Sequence, residues 1–222
     1  VFRRTKPGPD APEQKRETEA GMVTRGFVGR RQPPEAGARI PPGQYLTEDF
    51  PILQIGPNPT VDLATWRFTL RDGARPIKTW SWEEFEALPR TTWQGDIHCV
   101  TKWSKFDTAW EGVSFDDLLA DAGVAAPTAF LLAESFDDYT TNVPVADLVN
   151  GRAMVATRYA GQPIHPDHGG PARLLVPHLY FWKSAKWVKG LRFTQTDTAG
   201  FWELRGYHMY GDPWREQRYT GD

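Results

Sequence analysis

Ile97-His98-Cys99-Val100-Thr101-Lys102-Trp103 contains the only cysteine in a chain of 222 residues. One thiol excludes an internal disulfide and any metal cluster built from cysteines of a single chain. If it binds a metal, most of the coordination comes from elsewhere. A lone cysteine is more often a small buried hydrophobe. Here it ends an expected strand and enters a stretch, expected to be irregular, that is dense in polar and aromatic residues. Lys102 and Lys105 are close enough in sequence to favour a thiolate, whose free pKa of about 8.5 falls beside cations or a metal. Alternate residues of a strand face opposite sides, so His98 and Cys99 are not expected to share one ion.

Two later stretches carry the other polar candidates. Pro163-Ile164-His165-Pro166-Asp167-His168-Gly169-Gly170-Pro171-Ala172-Arg173 has a glycine pair that lets backbone approach a ligand. His168 and Arg173 there suit an anionic oxygen. A zinc site of His165, Asp167 and His168 lacks a fourth ligand and is disfavoured. A plain turn before the buried Leu174-Leu175-Val176 strand is the competing reading. Lys183-Ser184-Ala185-Lys186-Trp187-Val188-Lys189-Gly190 offers ammonium groups and backbone N–H to a phosphate, with a solvated charge run as the alternative.

The rest of the chain sets the fold class. Trp66, Phe68 and Leu70 alternate, and Asp72-Gly73 marks a turn before an extended Ile77–Trp80. Ser81 with Glu84 forms a capping box for a helix from Trp82 to about Leu88, stopped by Pro89. Ser114 with Asp117 opens a second helix over Phe115–Ala122, which Gly123 ends. A third short helix follows Pro144 and closes at Asn150-Gly151. Ala129–Ala133, Ala153–Thr157, Arg173–Val176 and Trp187–Phe193 read as strands. Many short strands with few short helices predict a β-rich α+β domain. Neither regular βαβ alternation nor a Gly-x-Gly-x-x-Gly turn is present, which argues against a dinucleotide-binding domain.

Composition narrows the function. There are 26 Lys+Arg against 28 Asp+Glu, a balance that does not suit a protein devoted to nucleic acid. No apolar run has membrane-spanning length, so an integral membrane protein is not expected. The first 42 residues hold 7 of the 19 prolines and carry 9 basic against 5 acidic residues. Residues 1–44 are accordingly read as a Pro-rich arm and residues 45–222 as the domain. No signal-peptide core occurs near Val1, so the chain reads as cytoplasmic, a leader removed before Val1 aside.

Three ordered blocks resemble the molybdopterin-dependent oxidoreductases of the sulfite-oxidase fold. They are His98-Cys99-Val100 with Trp103-Ser104 and Gly112-Val113-Ser114-Phe115, then His168 to Leu174, then Lys183 to Trp187. The resemblance spans roughly Leu46 to the C-terminus. It is strongest toward small molybdenum subunits similar to the catalytic subunit of bacterial protein-methionine-sulfoxide reductase. It implies a sulfite-oxidase-like mixed-sheet fold and a molybdenum-molybdopterin cofactor. Cys99 matches the thiolate that ligates molybdenum, and soft sulfur ligands from the pterin make one protein thiol sufficient. The resemblance places Thr47, Glu48, Asp49, His98, Ser135, His168, Arg173, Ser184, Ala185 and Lys186 at cofactor-binding positions.

Departures from the family bear on the substrate. Sulfite oxidases of this fold place arginines soon after the cysteine, where this chain has Lys102, Trp103 and Ser104. The expected reaction is two-electron oxygen-atom transfer on a small oxo-substrate, sulfoxide, N-oxide or sulfite-like. Trp103, Trp110 and Tyr139 are candidates for the substrate entrance. A monomer served by a separate electron-transfer partner is expected, because no appended haem or dimerisation domain is visible. Two alternatives stay open. One is a cofactor-free hydrolase or transferase using Cys99 with His98, His168 or His178. The other is a non-catalytic pterin-binding module.

Overall fold

A computed structural model describes residues 37–222. Most of the expected Pro-rich arm, residues 1–36, lies outside the described residues. Its last part docks on the body: Arg39 pairs with Asp96 at 2.5 Å and with Asp107 at 2.7 Å, and Ile40 is buried.

Eleven strands form two mixed sheets. One holds β1 (Tyr45–Leu46), β4 (Thr91–His98), β5 (Trp103–Ser114), β8 (Met154–Tyr159), β9 (Gln162–Pro163) and β10 (Arg173–Leu175). Its order is β1-β5-β8-β10, with β4 also on β5 and β9 on β8. The other sheet contains β2 (Arg67–Asp72), β3 (Arg75–Ser81), β6 (Phe130–Ser135), β7 (Thr140–Pro144) and β11 (Val188–Thr194). Its order is β3-β2-β11-β6-β7, antiparallel except for the β2–β11 pair. This is a β-rich α+β architecture of mixed sheets with a few short helices, as the sequence predicts.

The helices form where caps dictate. In α1 (Trp82–Glu86) the Ser81 hydroxyl accepts from the Glu84 N–H, and the Glu84 carboxylate accepts from the Ser81 N–H. This helix is shorter than expected, closing at Ala87 before Pro89. α2 (Phe115–Ala122) starts at Ser114 and ends at Gly123 in the left-handed region. After Pro144 the chain makes only a 3-10 turn, Val145–Asp147. Among the described residues no helix is long and apolar enough to cross a membrane.

The stretch after Cys99 corrects the sequence expectation. It is the twelve-residue β5, paired with β4 along most of its length. Register shifts opposite Gly95–Ile97 and at Glu111–Gly112, with a left-handed Asp107, break the alternation that would have revealed it.

Period-two alternation divides the interior into two cores. On β8, Ala153 (the residue before it) and Val155 join Leu70, Leu131, Leu191 and Phe193 in the larger core. Met154 and Ala156 face the opposite way, with Trp103, Trp110 and Tyr180. That second, aromatic core also contains Cys99.

Candidate functional site

Cys99 sits at the tip of the β4–β5 hairpin. Its N–H donates to Trp103 O at 2.9 Å, and Lys102 N–H donates back to Cys99 O at 3.0 Å. Lys102 closes the turn in the left-handed region, φ 75°. His98 leaves by the other face: Nδ1 is 2.8 Å from Ser104 Oγ, and the ring meets Trp214 edge-on. Burial pushes the Cys99 thiol pKa up, while hydrogen bonding from Thr101 and the charge of Arg218 oppose that rise. The Thr101 hydroxyl donates to Sγ at 3.2 Å.

Arg173 forms a second wall. Its side chain is buried on β10, where Nη1 donates to His168 O at 2.7 Å and Nη2 to Ser184 O at 2.8 Å. Nε has no partner. Among the described residues no carboxylate pairs with it, and burial pushes its pKa down to about 9. Lys186 lies beside it. Its Nζ donates to Leu53 O and Asp167 O, and burial, then the Arg173 charge, lower its pKa to about 8. A buried cation without a counter-ion is costly, and Arg173 is one; Lys186 is half-buried, with the charges of Asp167 and Asp137 only partly offsetting its burial, so the pair suits an anion.

The loop before Arg173 brings backbone close to Lys186. Gly169 has φ 102°, and a Cβ there would stand 2.8 Å from Lys186 Cβ. Trp187 locks the contact by donating its N–H to Gly169 O and its indole N–H to Pro166 O. His168 stacks on Phe50, centroids 4.0 Å apart and planes 10° apart. Burial and the Arg173 and Lys186 charges lower the His168 pKa to about 4, so the ring is neutral at pH 7.

These walls enclose a cavity of about 550 Å³. Cys99, His168, Arg173, Ser184, Ala185 and Lys186 all line it. The Ser184 hydroxyl accepts from Val176 N–H, its N–H donates to Phe181 O and its carbonyl accepts from Arg173. The other residues expected at cofactor-binding positions stand outside the cavity lining. Thr47, Glu48 and Asp49 run along β5 just before Phe50: Thr47 N–H donates to Ser104 O, Lys105 Nζ to Glu48 O, and Asp49 N–H to Thr47 Oγ1. Ser135 is fully buried at the end of β6, its hydroxyl without a partner. Trp103 and Tyr139 line the cavity, whereas Trp110 packs beneath Arg173. Lys183 turns away into a buried pair with Glu203 at 2.6 Å.

Sequence reasoning missed the outer wall. The segment from Phe50 to Pro59 closes the cavity, tied down by Asn58 Nδ2 donating to Asp167 Oδ1 at 2.6 Å. Its only advance signal is the density of prolines around Asn58. Among the described residues no three His, Cys, Asp or Glu side chains converge on a point. A metal here would therefore need donors from outside the protein, and Cys99 is the thiol that lines the cavity. One thiol, a buried guanidinium without a paired carboxylate among the described residues and with an unpartnered nitrogen, and a half-buried ammonium in one cavity fit an anionic, sulfur-bearing metal cofactor.

Residues 55–202 match the sequence model of the oxidoreductase molybdopterin binding domain. The chain belongs to that family. Within the molybdopterin-binding oxidoreductases it is 39% identical to the uncharacterized oxidoreductase YuiH of Bacillus subtilis, over 88% of this chain and all of that protein. It is 27% identical to a protein of Azospira oryzae named "Putative protein-methionine-sulfoxide reductase subunit YedZ1", over 80% of this chain and 69% of that one. The sulfane dehydrogenase SoxCD of Paracoccus pantotrophus superposes with a TM-score of 0.55 at 22% identity, a likeness of fold. That match covers 63% of this chain and 40% of the SoxCD chain.

Proposed function

We propose that this protein is a molybdenum-molybdopterin oxidoreductase that moves an oxygen atom to or from a small neutral oxo-substrate. One observation carries the reading: Arg173 and Lys186, neither within salt-bridge distance of a carboxylate among the described residues, line the same cavity as the only thiol. When bound, the cofactor supplies two-electron redox chemistry.

The chain's own residues do the rest. Cys99 provides the protein ligand and, as a thiolate, donates electron density to the metal. Arg173 and Lys186 hold the negatively charged part of the cofactor, with Ser184 and Ala185 beside them in the cavity wall. Neutral His168 offers a hydrogen bond without adding charge. Trp103, Tyr139, Trp182 and Trp202 supply apolar wall that excludes water and suits an uncharged substrate. Both cations of the cavity are engaged by the cofactor in this account, which disfavours a sulfite-like anion. Electrons are exchanged with a separate partner.

A cofactor-free thiol mechanism finds no support in the geometry. His98 is bonded to Ser104 and His178 to Asp147, while His168 stacks on Phe50. The test is metal and pterin analysis of protein made in cofactor-replete cells. Molybdenum and pterin near one equivalent, falling sharply in Cys99→Ser, support the reading. Wild-type protein lacking both contradicts it.

A further inference from the structure

The turn that carries Cys99 is pinned from outside the part of the chain that matches the family. Gln44 Nε2 donates to Cys99 O at 3.0 Å. Arg218 Nη1 donates to Val100 O at 2.7 Å, and Nη2 reaches Pro42 O at 3.4 Å. Both residues fall outside 55–202. Both are buried, at 5% and 8% exposure. The Arg218 guanidinium lies 4.9 Å over the Tyr180 ring, and its nearest carboxylate is the exposed Glu216 at 3.9 Å. At position 43, where φ is 69°, a Cβ would stand 2.6 Å from Glu216 Oε1 and 3.2 Å from Arg218 Nη2, so glycine makes room for both side chains.

The turn needs such support. A non-glycine residue in the left-handed region costs about 1–2 kcal/mol, and Lys102 occupies it. A turn that is locally disfavoured keeps its shape through contacts made elsewhere. Here those contacts are β1 on β5, the Gln44 amide and the Arg218 guanidinium, the latter two bonded to the carbonyls of Cys99 and its neighbour.

We propose that Arg218, seconded by Gln44, is a positioning residue for the Cys99 thiol, fixing the direction in which it enters the cavity. The inference rests on the cofactor reading for its consequence, a set metal–sulfur geometry. The pinning itself is a property of the protein without metal. Arg218 acts through the Val100 carbonyl and lies outside the cavity lining.

The test compares wild type with Arg218→Met, Arg218→Lys and Gln44→Leu in the full chain. Three quantities are read: the iodoacetamide alkylation rate of Cys99 in metal-free protein, the molybdenum content, and the thiolate-to-metal absorption of loaded protein. Removing a residue that orients a ligand typically lowers metal affinity about 10- to 100-fold. Arg218→Met is expected to lose molybdenum on that scale and shift the absorption band, and its alkylation rate is expected to change through both a looser turn and the loss of a charge that lowers the thiol pKa. Arg218→Lys, which keeps a donor, is expected to recover part of each. Gln44→Leu is expected to show a smaller loss of metal and faster alkylation, and it serves if Arg218→Met does not fold. Folded variants with wild-type alkylation, metal content and absorption overturn the proposal. If wild type holds no molybdenum, the cofactor reading fails. The alkylation rate of Gln44→Leu, which leaves the Arg218 charge in place, then decides the pinning alone: a faster rate than wild type supports it and an unchanged or slower rate overturns it.

Discussion

Arg173 lies with its guanidinium carbon 4.0 Å from the centre of the Phe181 ring. The aromatic face partly replaces the water that burial removes, but it supplies no countercharge. An anion entering the cavity therefore stabilises the folded state. Pyrophosphate is expected to raise the Tm of cofactor-free protein, by about 2.7 kcal/mol of stability at a hundredfold excess over its Kd. Arg173→Met and Lys186→Met are each expected to weaken that response strongly. Thermal melts across a pyrophosphate series check it, and an unchanged response in Arg173→Met would show that the cation is not an anion site.

Gly169→Ala tests the close approach of the loop to Lys186. The new Cβ meets Lys186 Cβ, and φ 102° is disfavoured for alanine. We expect a loss of about 1–3 kcal/mol, as for other residues forced into sparse backbone regions. Because the strain falls on Lys186, cofactor content is expected to drop as well. Urea unfolding and metal analysis on one preparation separate the two effects.

The buried Lys183–Glu203 pair makes a prediction about stability alone. Lys183 Nζ also donates to Asn142 O, Asn142 Oδ1 and Met209 O. Lys183→Met leaves the Glu203 carboxylate buried without its cation, a change that costs about 3–5 kcal/mol. Adding Glu203→Leu is expected to return part of that loss. Denaturant midpoints of the single and double variants measure it, and equal midpoints for wild type and Lys183→Met would rule out a structural role.

Acid sensitivity follows from two histidines. Burial lowers the pKa of His98 to about 4, and burial with neighbouring cations does the same to His168. Unfolded histidine titrates near 6.5, so between that pH and about 4 the unfolded state binds protons that the folded state refuses. Stability is thus expected to be flat above pH 7 and to fall as pH drops through this window. Replacing His98 with glutamine is expected to flatten the slope by up to one proton, worth at most about 3 kcal/mol over the window. Tm measured against pH for both proteins reads the difference directly.

The sequence spoke clearly where local chemistry decides structure. Ser114 and Gly123 bound α2 because a hydroxyl cap and a left-handed glycine act on neighbouring atoms. The Cys99 hairpin was harder. The strand that ends at Cys99 was legible, but β5 hid behind bulges that cancel a period-two signal. The meeting of Cys99, Arg173 and Lys186 came from resemblance to a family, since no spacing rule brings together residues so far apart in the chain. The cavity's outer wall, from Phe50 to Pro59, has no periodicity and is fixed by distant partners such as Asp167 and His168.

The central claim is that Cys99 is the single protein ligand of a molybdenum bound in this cavity. X-ray absorption at the molybdenum edge, on purified wild type and Cys99→Ser, tests it most directly. The account predicts one more sulfur neighbour around the metal in wild type than in the variant. An identical sulfur shell in the two proteins would contradict it.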